Sequence, residues 1–274
     1  MRDKTRRLGG LLLLGMLIFG LLAGCGAPQR EKDYGVFLGI DASEAERLDG
    51  YALAVIDAQQ FSAQDIAALH EKGTKVYTYL NVGSVEDFRD YYAQYAGLAL
   101  GDYENWPEEK WVDVSSPAWQ SFIAGLARQL DEKGVDGFFI DNCDVYYQFP
   151  EEKIFDGLTT ILKDLMTLQK AVVINGGDAY VSQYRAACGN LGAIMTGVNQ
   201  ETVFSSIDFA ASAFGKQTEE ERGYFAAYVE GCKADGLDVY LLEYTKDPAL
   251  MREIARYCRA QGFSYYISDS IELE

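Results

Sequence analysis

Histidine is nearly absent: His70 is the only one in 274 residues. No Ser–His–Asp or Cys–His catalytic arrangement is therefore built in the usual way. The cysteines are few and badly spaced for a metal. After Cys25 come Cys143, Cys188, Cys232 and Cys258, with no C-x-x-C pair, so a structural zinc site is not expected. Four cysteines allow three disulfide pairings, and their spacing does not choose among those pairings or free thiols. Basic residues are also in deficit, 24 against 42 acidic ones, for a formal net charge of −18. Such a surface repels phosphate, which excludes nucleic acid as a partner. It suits cationic partners, or merely keeps an exported protein soluble. Nothing in the sequence calls for a cofactor or an obligate protein partner.

The apolar run of 17 residues, "LGGLLLLGMLIFGLLAG", follows a basic head, "MRDKTRR". It is short of the roughly 20 residues that span a bilayer. A positive head, an apolar middle and small residues before a cut describe a secretory leader. Leu22-Ala23-Gly24-Cys25 resembles a bacterial lipobox, in which Cys25 is lipidated and becomes the new N-terminus. The expected organisation is a leader at 1–24, a lipid-anchored linker at 25–34 and one domain at 35–274. The protein would then sit on the outer face of a bacterial cell membrane, held by its lipid chains.

Within that domain one unit recurs. "LHEKGTKVYTYL", "LDEKGVDGFFI", "CKADGLDVYLLEY" and "CRAQGFSYYI" each pair a polar helix end with a glycine and an apolar β-rich run. Gly73, Gly134, Gly236 and Gly262 stand where a left-handed helix stop belongs. The same pattern predicts eight strands, at 36–40, 52–56, 75–80, 137–140, 171–175, 193–198, 238–243 and 263–267. They are short and almost continuously apolar, as strands covered on both faces are. The expected fold is α/β, a (β/α)8 TIM-like barrel, modified at strand one and at the C-terminus. An open doubly wound sheet is the alternative.

A barrel carries its site at the C-terminal ends of its strands. The first polar residues there are Asp41, Asp57, Tyr79, Asn81, Asp141, Asn175, Asn199, Glu201, Glu243, Tyr244, Ser268 and Asp269. Acids and amides gather on this rim, and no lysine, arginine or histidine does. One such acid alone is as well read as a helix cap or a turn. Several together suit chemistry in which two carboxylates flank one bond, of which glycoside hydrolysis is the common case. Oxygen-only metal binding is the competing use, and no calcium-loop spacing is present.

Five motifs in order, "YALAVIDA", "VYTYLNVGSVEDFRDYY", "WPEEKWVDVSSPAW", "KGVDGFFIDNCDVY" and "GVNQETVF", resemble glycoside hydrolase family 114, the endo-α-1,4-polygalactosaminidase-like barrels. The resemblance runs from about residue 50 to the C-terminus. It implies cleavage of internal α-1,4 bonds in galactosamine-containing polysaccharide, without a cofactor or metal. It also implies a catalytic pair, Asp141 as nucleophile and Glu201 as acid/base. Retention is the expected outcome: carboxyl groups about 5–5.5 Å apart would favour it, and about 6.5–9.5 Å would favour inversion. Asp57, Tyr79, Asp144, Tyr146, Asn175, Glu243 and Tyr244 would line the sugar groove. Glu86 and Arg89 match a family loop, or form an ordinary surface ion pair. The sequence departs from the family pattern at Gly83-Ser84, where relatives carry Gly-Glu. A non-catalytic polysaccharide-binding lipoprotein on the same fold is the competing reading.

Overall fold

The computed structural model describes residues 32–274. Cys25 and the leader lie outside the described residues. Among the described residues, no helix is long and apolar enough to cross a membrane.

Eight parallel strands form one sheet in sequential order: β1 (Lys32–Phe37), β2 (Tyr51–Ile56), β3 (Lys75–Asn81), β4 (Gly137–Asp141), β5 (Ala171–Asn175), β6 (Gly197–Glu201), β7 (Asp238–Tyr244) and β8 (Ser264–Ser268). Helices α1 (Ala63–Glu71), α2 (Pro117–Glu132), α3 (Glu152–Met166), α4 (Asp178–Cys188), α5 (Glu219–Ala234) and α6 (Pro248–Gln261) lie between them. This is the expected (β/α)8 barrel. Among the described residues no helix follows β8.

Local chemistry explains the elements. Ser62 and Asp65 close a reciprocal capping box on α1, and Pro117 and Pro248 open α2 and α6 at a position that needs no N–H. Gly262 ends α6 in the left-handed conformation at φ 68°, which costs glycine nothing. On α3, Ile154, Leu158, Ile161, Leu162 and Leu165 recur at helical spacing and are all buried against the sheet. Each such side chain contributes roughly 1.5–3 kcal/mol.

Strand parity sorts the interior. Tyr34, Val36, Leu53, Val55, Tyr79, Phe139, Val173, Tyr240, Leu242 and Tyr244 point into the barrel, and their neighbours pack against the helices. β1 and β8 exchange no ladder bonds, so the barrel has a seam. Aromatic side chains fill it: Phe37 lies 5.3 Å and Tyr51 6.3 Å from Tyr266, centroid to centroid. Gly39 N donates to the Leu273 carbonyl at 3.2 Å, tying the C-terminal tail to the same edge. The expected modification at strand one and the C-terminus takes this form.

Two strands differ from their expected bounds. β1 starts at Lys32, inside the stretch read as linker, and stops at Phe37. β6 starts at Gly197 rather than 193, because Leu191–Ala193 form one 3-10 turn. Ile194 and Met195 are apolar because the connection is buried, not because it is a strand. Two insertions carry no expectation at all. Ser84–Glu86, Glu109–Val112 and Ala99–Asp102 make a small antiparallel sheet after β3. Ser205–Asp208 and Ala213–Lys216 make a hairpin after β6. Both stand on the C-terminal rim and wall the site.

Candidate active site

A cleft of about 720 Å³ opens at the C-terminal ends of the strands. Asp141 ends β4 and Glu201 ends β6, and parity turns both inward with Phe139 and Gly197. Asn175, ending β5, lies between them. Its Nδ2 donates to Asp141 Oδ1 at 3.0 Å and to Glu201 Oε1 at 2.7 Å. One amide nitrogen touching both carboxylates limits those two oxygens to about 5.7 Å apart, the sum of the two bonds. With its two N–H bonds about 120° apart, as in any planar amide, the separation is about 5 Å.

The bridging amide is itself held. Asn199 Nδ2 donates to Asn175 Oδ1 at 2.7 Å, and Tyr34 OH donates to Asn199 Oδ1 at 3.0 Å. On the far side, Tyr244 OH donates to Glu201 Oε2 at 2.7 Å. The backbone just past each of the three strand ends is left-handed: Asn142 at φ 65°, Gly176 at φ 64° and Thr202 at φ 53°. Left-handed backbone is unfavourable for a β-branched residue such as Thr202, costing of order 1–3 kcal/mol. Its N–H reaches the Leu242 carbonyl at 3.0 Å, so the turn is bonded in place. Gly83 permits a further close approach, since a Cβ there would lie 1.8 Å from the Asn142 carbonyl oxygen.

Burial sets the electrostatics. It pushes the Asp141 carboxyl up to about 6, with the Glu201 charge adding to the rise and hydrogen bonds from Asn175 and Tyr79 opposing it. Burial likewise raises Glu201, against the same opposing effect of Asn175 and Tyr244. Asp144, also on the cleft wall, is pushed up to about 7 by burial and by the Asp141 and Asp178 charges. It accepts from Gly177 N at 3.2 and 3.3 Å.

Of the expected groove residues, Asp57, Tyr79, Asp144, Asn175 and Tyr244 line the cleft with the pair. Two do not. Glu243 precedes Tyr244 on β7, so it points the opposite way, out of the barrel. It is fully buried, where it accepts from Phe204 N, Ser205 N and Ser205 Oγ at 2.6–3.2 Å and anchors the hairpin after β6. Tyr146 turns its ring into the helix layer, 5.7 Å from Phe155 and 6.2 Å from Tyr180.

The rim is not free of basic groups. Arg89 lines the cleft, bonded to Asp57 Oδ2 at 2.7 Å and Glu86 Oε1 at 3.1 Å. All three side chains are less than 10% exposed, so this is a buried triad rather than a surface pair. Burial alone would lower the Arg89 pKa; the Glu86 and Asp57 charges outweigh it and raise it. Sequence reasoning also missed Glu109, Tyr103, Trp106 and Phe209, which come from the two rim insertions. Tyr103 OH donates to Asn142 Oδ1 at 3.0 Å, and its ring stacks on Trp111 at 4.2 Å. "WPEEKW" held the signal, two tryptophans flanking acids beside a strand end, but nothing local tied it to the cleft. Cys143, Cys188, Cys232 and Cys258 are unpaired thiols, which settles the pairing question among the described residues.

Solved structures resemble this chain. The glycoside hydrolase domain of PelA from Pseudomonas aeruginosa superposes with a TM-score of 0.71 at 19% identity, covering 88% of this chain and 95% of that one. Ega3 of Aspergillus fumigatus, solved in complex with galactosamine, gives a TM-score of 0.69 at 15% identity, over 90% and 94%. At such identities the likeness speaks for the barrel. In sequence, an uncharacterised protein of Deinococcus radiodurans is 23% identical over 226 residues, 78% of this chain and 70% of the relative. The model of Glycoside-hydrolase family GH114 matches residues 25–272. With nearly the whole domain matched, and two carboxylates converging on one cleft, the chain belongs to glycoside-hydrolase family GH114.

Proposed function

We propose that this glycoside hydrolase cleaves internal α-1,4 bonds of a galactosamine-containing polysaccharide by a retaining, two-carboxylate mechanism. The observation that carries the reading is the Asn175 amide touching Asp141 and Glu201 at once. Carboxyl groups about 5–5.5 Å apart leave no room for a water between acid and base, which favours a covalent glycosyl-enzyme. Asp141 attacks C1 of the sugar as the C1–O bond breaks. Glu201 gives its proton to the departing oxygen. A water then attacks C1, Glu201 takes its proton, and Asp141 leaves.

The cycle needs Glu201 to be first acid, then base. Burial raises both carboxyls and the Glu201 charge raises Asp141 further, so the pair favours holding a single proton between them, and the retaining cycle needs that proton on Glu201 when the sugar is seated. Once Asp141 is an ester its charge is gone, the Glu201 pKa drops, and the same group accepts a proton. Tyr244 OH serves both states, because a phenol donates to a carboxylate and accepts from a carboxylic acid.

The substrate class rests on charge and on likeness. Ega3 was solved with galactosamine bound. A deacetylated galactosamine chain is cationic at neutral pH, and the cleft walls carry Asp41, Asp57, Asp141, Asp144 and Glu201. Field lines from such a cleft concentrate a cationic polymer. The domain would work outside the cell, held to the membrane through lipidated Cys25.

Reducing-end release from a partly deacetylated α-1,4-galactosamine polymer tests this. Wild type is expected to release ends, Asp141→Asn and Glu201→Gln to lose about 10²–10⁴-fold, and the first product to be the α anomer by NMR. A wild type that binds polymer yet releases nothing sinks the hydrolase reading, and a first-formed β anomer sinks retention.

A further inference from the structure

Glu86 and Glu109 stand directly opposite each other in the small antiparallel sheet, and both line the cleft. Like charges placed so destabilise a sheet. Among the described residues that line the cleft only Arg89 is basic, and it is committed, pairing with Asp57 and with Glu86 Oε1. Glu86 Oε2 is buried with no hydrogen-bond partner among the described residues, in a side chain 3% exposed. Glu109 Oε2 accepts from Ser84 Oγ at 2.5 Å and from Asn142 Nδ2 at 3.3 Å, but no lysine or arginine pairs with it among the described residues. Its neighbour Lys110 reaches away to Asp102, at 2.6 Å. Two carboxylates share one guanidinium, and Glu109 stands beside them with no cation of its own.

We infer that Glu109, backed by Glu86, is the subsite that receives the 2-ammonium group of the sugar seated against Asp141. This rests on the galactosaminidase reading above. Position supports it. Asn142 follows Asp141 directly and bonds Glu109, so this carboxylate stands beside Asp141 on the cleft wall. The amine is on C2, one bond from C1. A positive ammonium there opposes the positive charge that builds on C1 in the transition state, and a facing carboxylate cancels that opposition. The Ser84 and Asn142 donors hold one Glu109 oxygen and leave the other for the ligand. Among the described residues no group of three histidine, cysteine, aspartate or glutamate side chains is placed to hold a metal ion. Burial, together with the Asp141 and Glu86 charges, pushes the Glu109 carboxyl up to about 7, the mark of an acid that lacks its counter-ion.

Glu109→Gln keeps the shape and removes the charge, and Glu109→Asp keeps the charge. Calorimetry with galactosamine, galactose and N-acetylgalactosamine is the first readout. Wild type is expected to bind galactosamine about 10-fold or more tighter than galactose, Glu109→Gln to lose that preference, and Glu109→Asp to recover part of it. On polymer, Glu109→Gln is expected to lose about 10- to 100-fold in kcat/KM with the deacetylated form and to change little with the acetylated one. A wild type without preference for the amine overturns the subsite, as does a preference that survives Glu109→Gln. A wild type that prefers galactosamine but cleaves no polymer keeps the subsite and removes the hydrolase reading. One that cleaves both polymers equally does the reverse.

Discussion

Replacing Asn175 by alanine tests the centre of the site, because one side chain serves both carboxylates. Its two N–H bonds end on Asp141 and Glu201, at 3.0 and 2.7 Å. A hydrogen bond to a charged group contributes about 1.5–3 kcal/mol. Water entering the space left by the amide offsets part of that, so a net loss near 3 kcal/mol in transition-state stabilisation, roughly 10²-fold in kcat/KM, is expected. The pH profile carries the more specific signature. N–H donors favour the ionised carboxylate and so hold its pKa down. Without Asn175 both pKa values rise: Asp141 from about 6, and Glu201 in the same direction. The acid limb, on which the pair loses its first proton, and the alkaline limb, on which it loses its second, then both move to higher pH. About one pH unit is expected for each bond worth about 1.4 kcal/mol.

Stability separates this from simple damage. Alanine leaves the Asn199 amide without its acceptor, 2.7 Å away in the wild type, at a cost of about 1–3 kcal/mol. The thermal midpoint should therefore fall by several degrees, with the domain still folded at 25 °C. The assay is kcat/KM on deacetylated polymer from pH 4 to 9, beside a melt. A variant that keeps activity within about twofold refutes the bridging role. So does a variant slowed a hundredfold whose limbs stay where they were, because positioning without electrostatic contact would then be all that Asn175 supplies.

Three other outcomes follow from named contacts. Tyr244→Phe removes the donor to Glu201 Oε2 while keeping the ring that packs 5.8 Å from Phe214; about a tenfold fall in kcat is expected, with the alkaline limb moving up, and an unmoved limb counts against it. Arg89→Met strands the Asp57 and Glu86 carboxylates in a buried site, so chemical denaturation should report a loss of about 3–5 kcal/mol, recovered in part by adding Asp57→Asn. Acidification should stabilise the fold. Asp141 at about 6 and Asp144, Glu109 and Glu243 at about 7 all lie above their unfolded values, so the native state binds more protons between about pH 4.5 and 7. That stability is full below the window and lost as pH rises through it, so the thermal midpoint should be higher at pH 5.5 than at pH 8. A midpoint that climbs with pH across this range contradicts the burial of these acids.

The barrel was legible because its grammar is local. Gly73, Gly134 and Gly236 do adopt the left-handed conformation, at φ 83°, 95° and 85°, and each marks a helix-to-strand junction. Asp141 and Glu201 were legible for the same reason, as acids that a strand delivers to the rim. Glu243 misled because a strand end offers two adjacent polar residues and only parity decides which faces inward. A one-residue difference in where a strand stops reverses that decision. The buried placement of Arg89, read from sequence only as a family loop or a surface pair, and the role of Glu109 were illegible for a different reason. Both residues sit on an insertion whose strands are only three or four residues long, too short for periodicity to show. Their partners, Asp57 and Asn142, are 32 and 33 residues away in sequence.

Tyr34 shows how far the site extends beyond its carboxylates. It lies on β1, an edge of the unclosed sheet, in a segment that composition marks as linker. Its hydroxyl reaches across the barrel interior to Asn199 on β6, 165 residues on, and through Asn199 it fixes the Asn175 amide. An amide can present either its oxygen or its nitrogen to a neighbour. With Asn199 Nδ2 donating to Asn175 Oδ1, the nitrogen of Asn175 must face the carboxylates. Asn199 is oriented in turn by the Asn175 oxygen, and the Tyr34 hydroxyl turns to donate to the Asn199 Oδ1 that is left. Carboxylates only accept, so the direction of every bond in the chain is set from the two acids outward to the edge strand. A phenol, two amides and two acids on four strands form one polar network, and reversing Asn175 would aim its lone pairs at two carboxylates. Such a network keeps a single arrangement only while each member is satisfied. The order of the unpaired edge strand and the orientation of the groups around the reacting carbon are therefore one property of this fold.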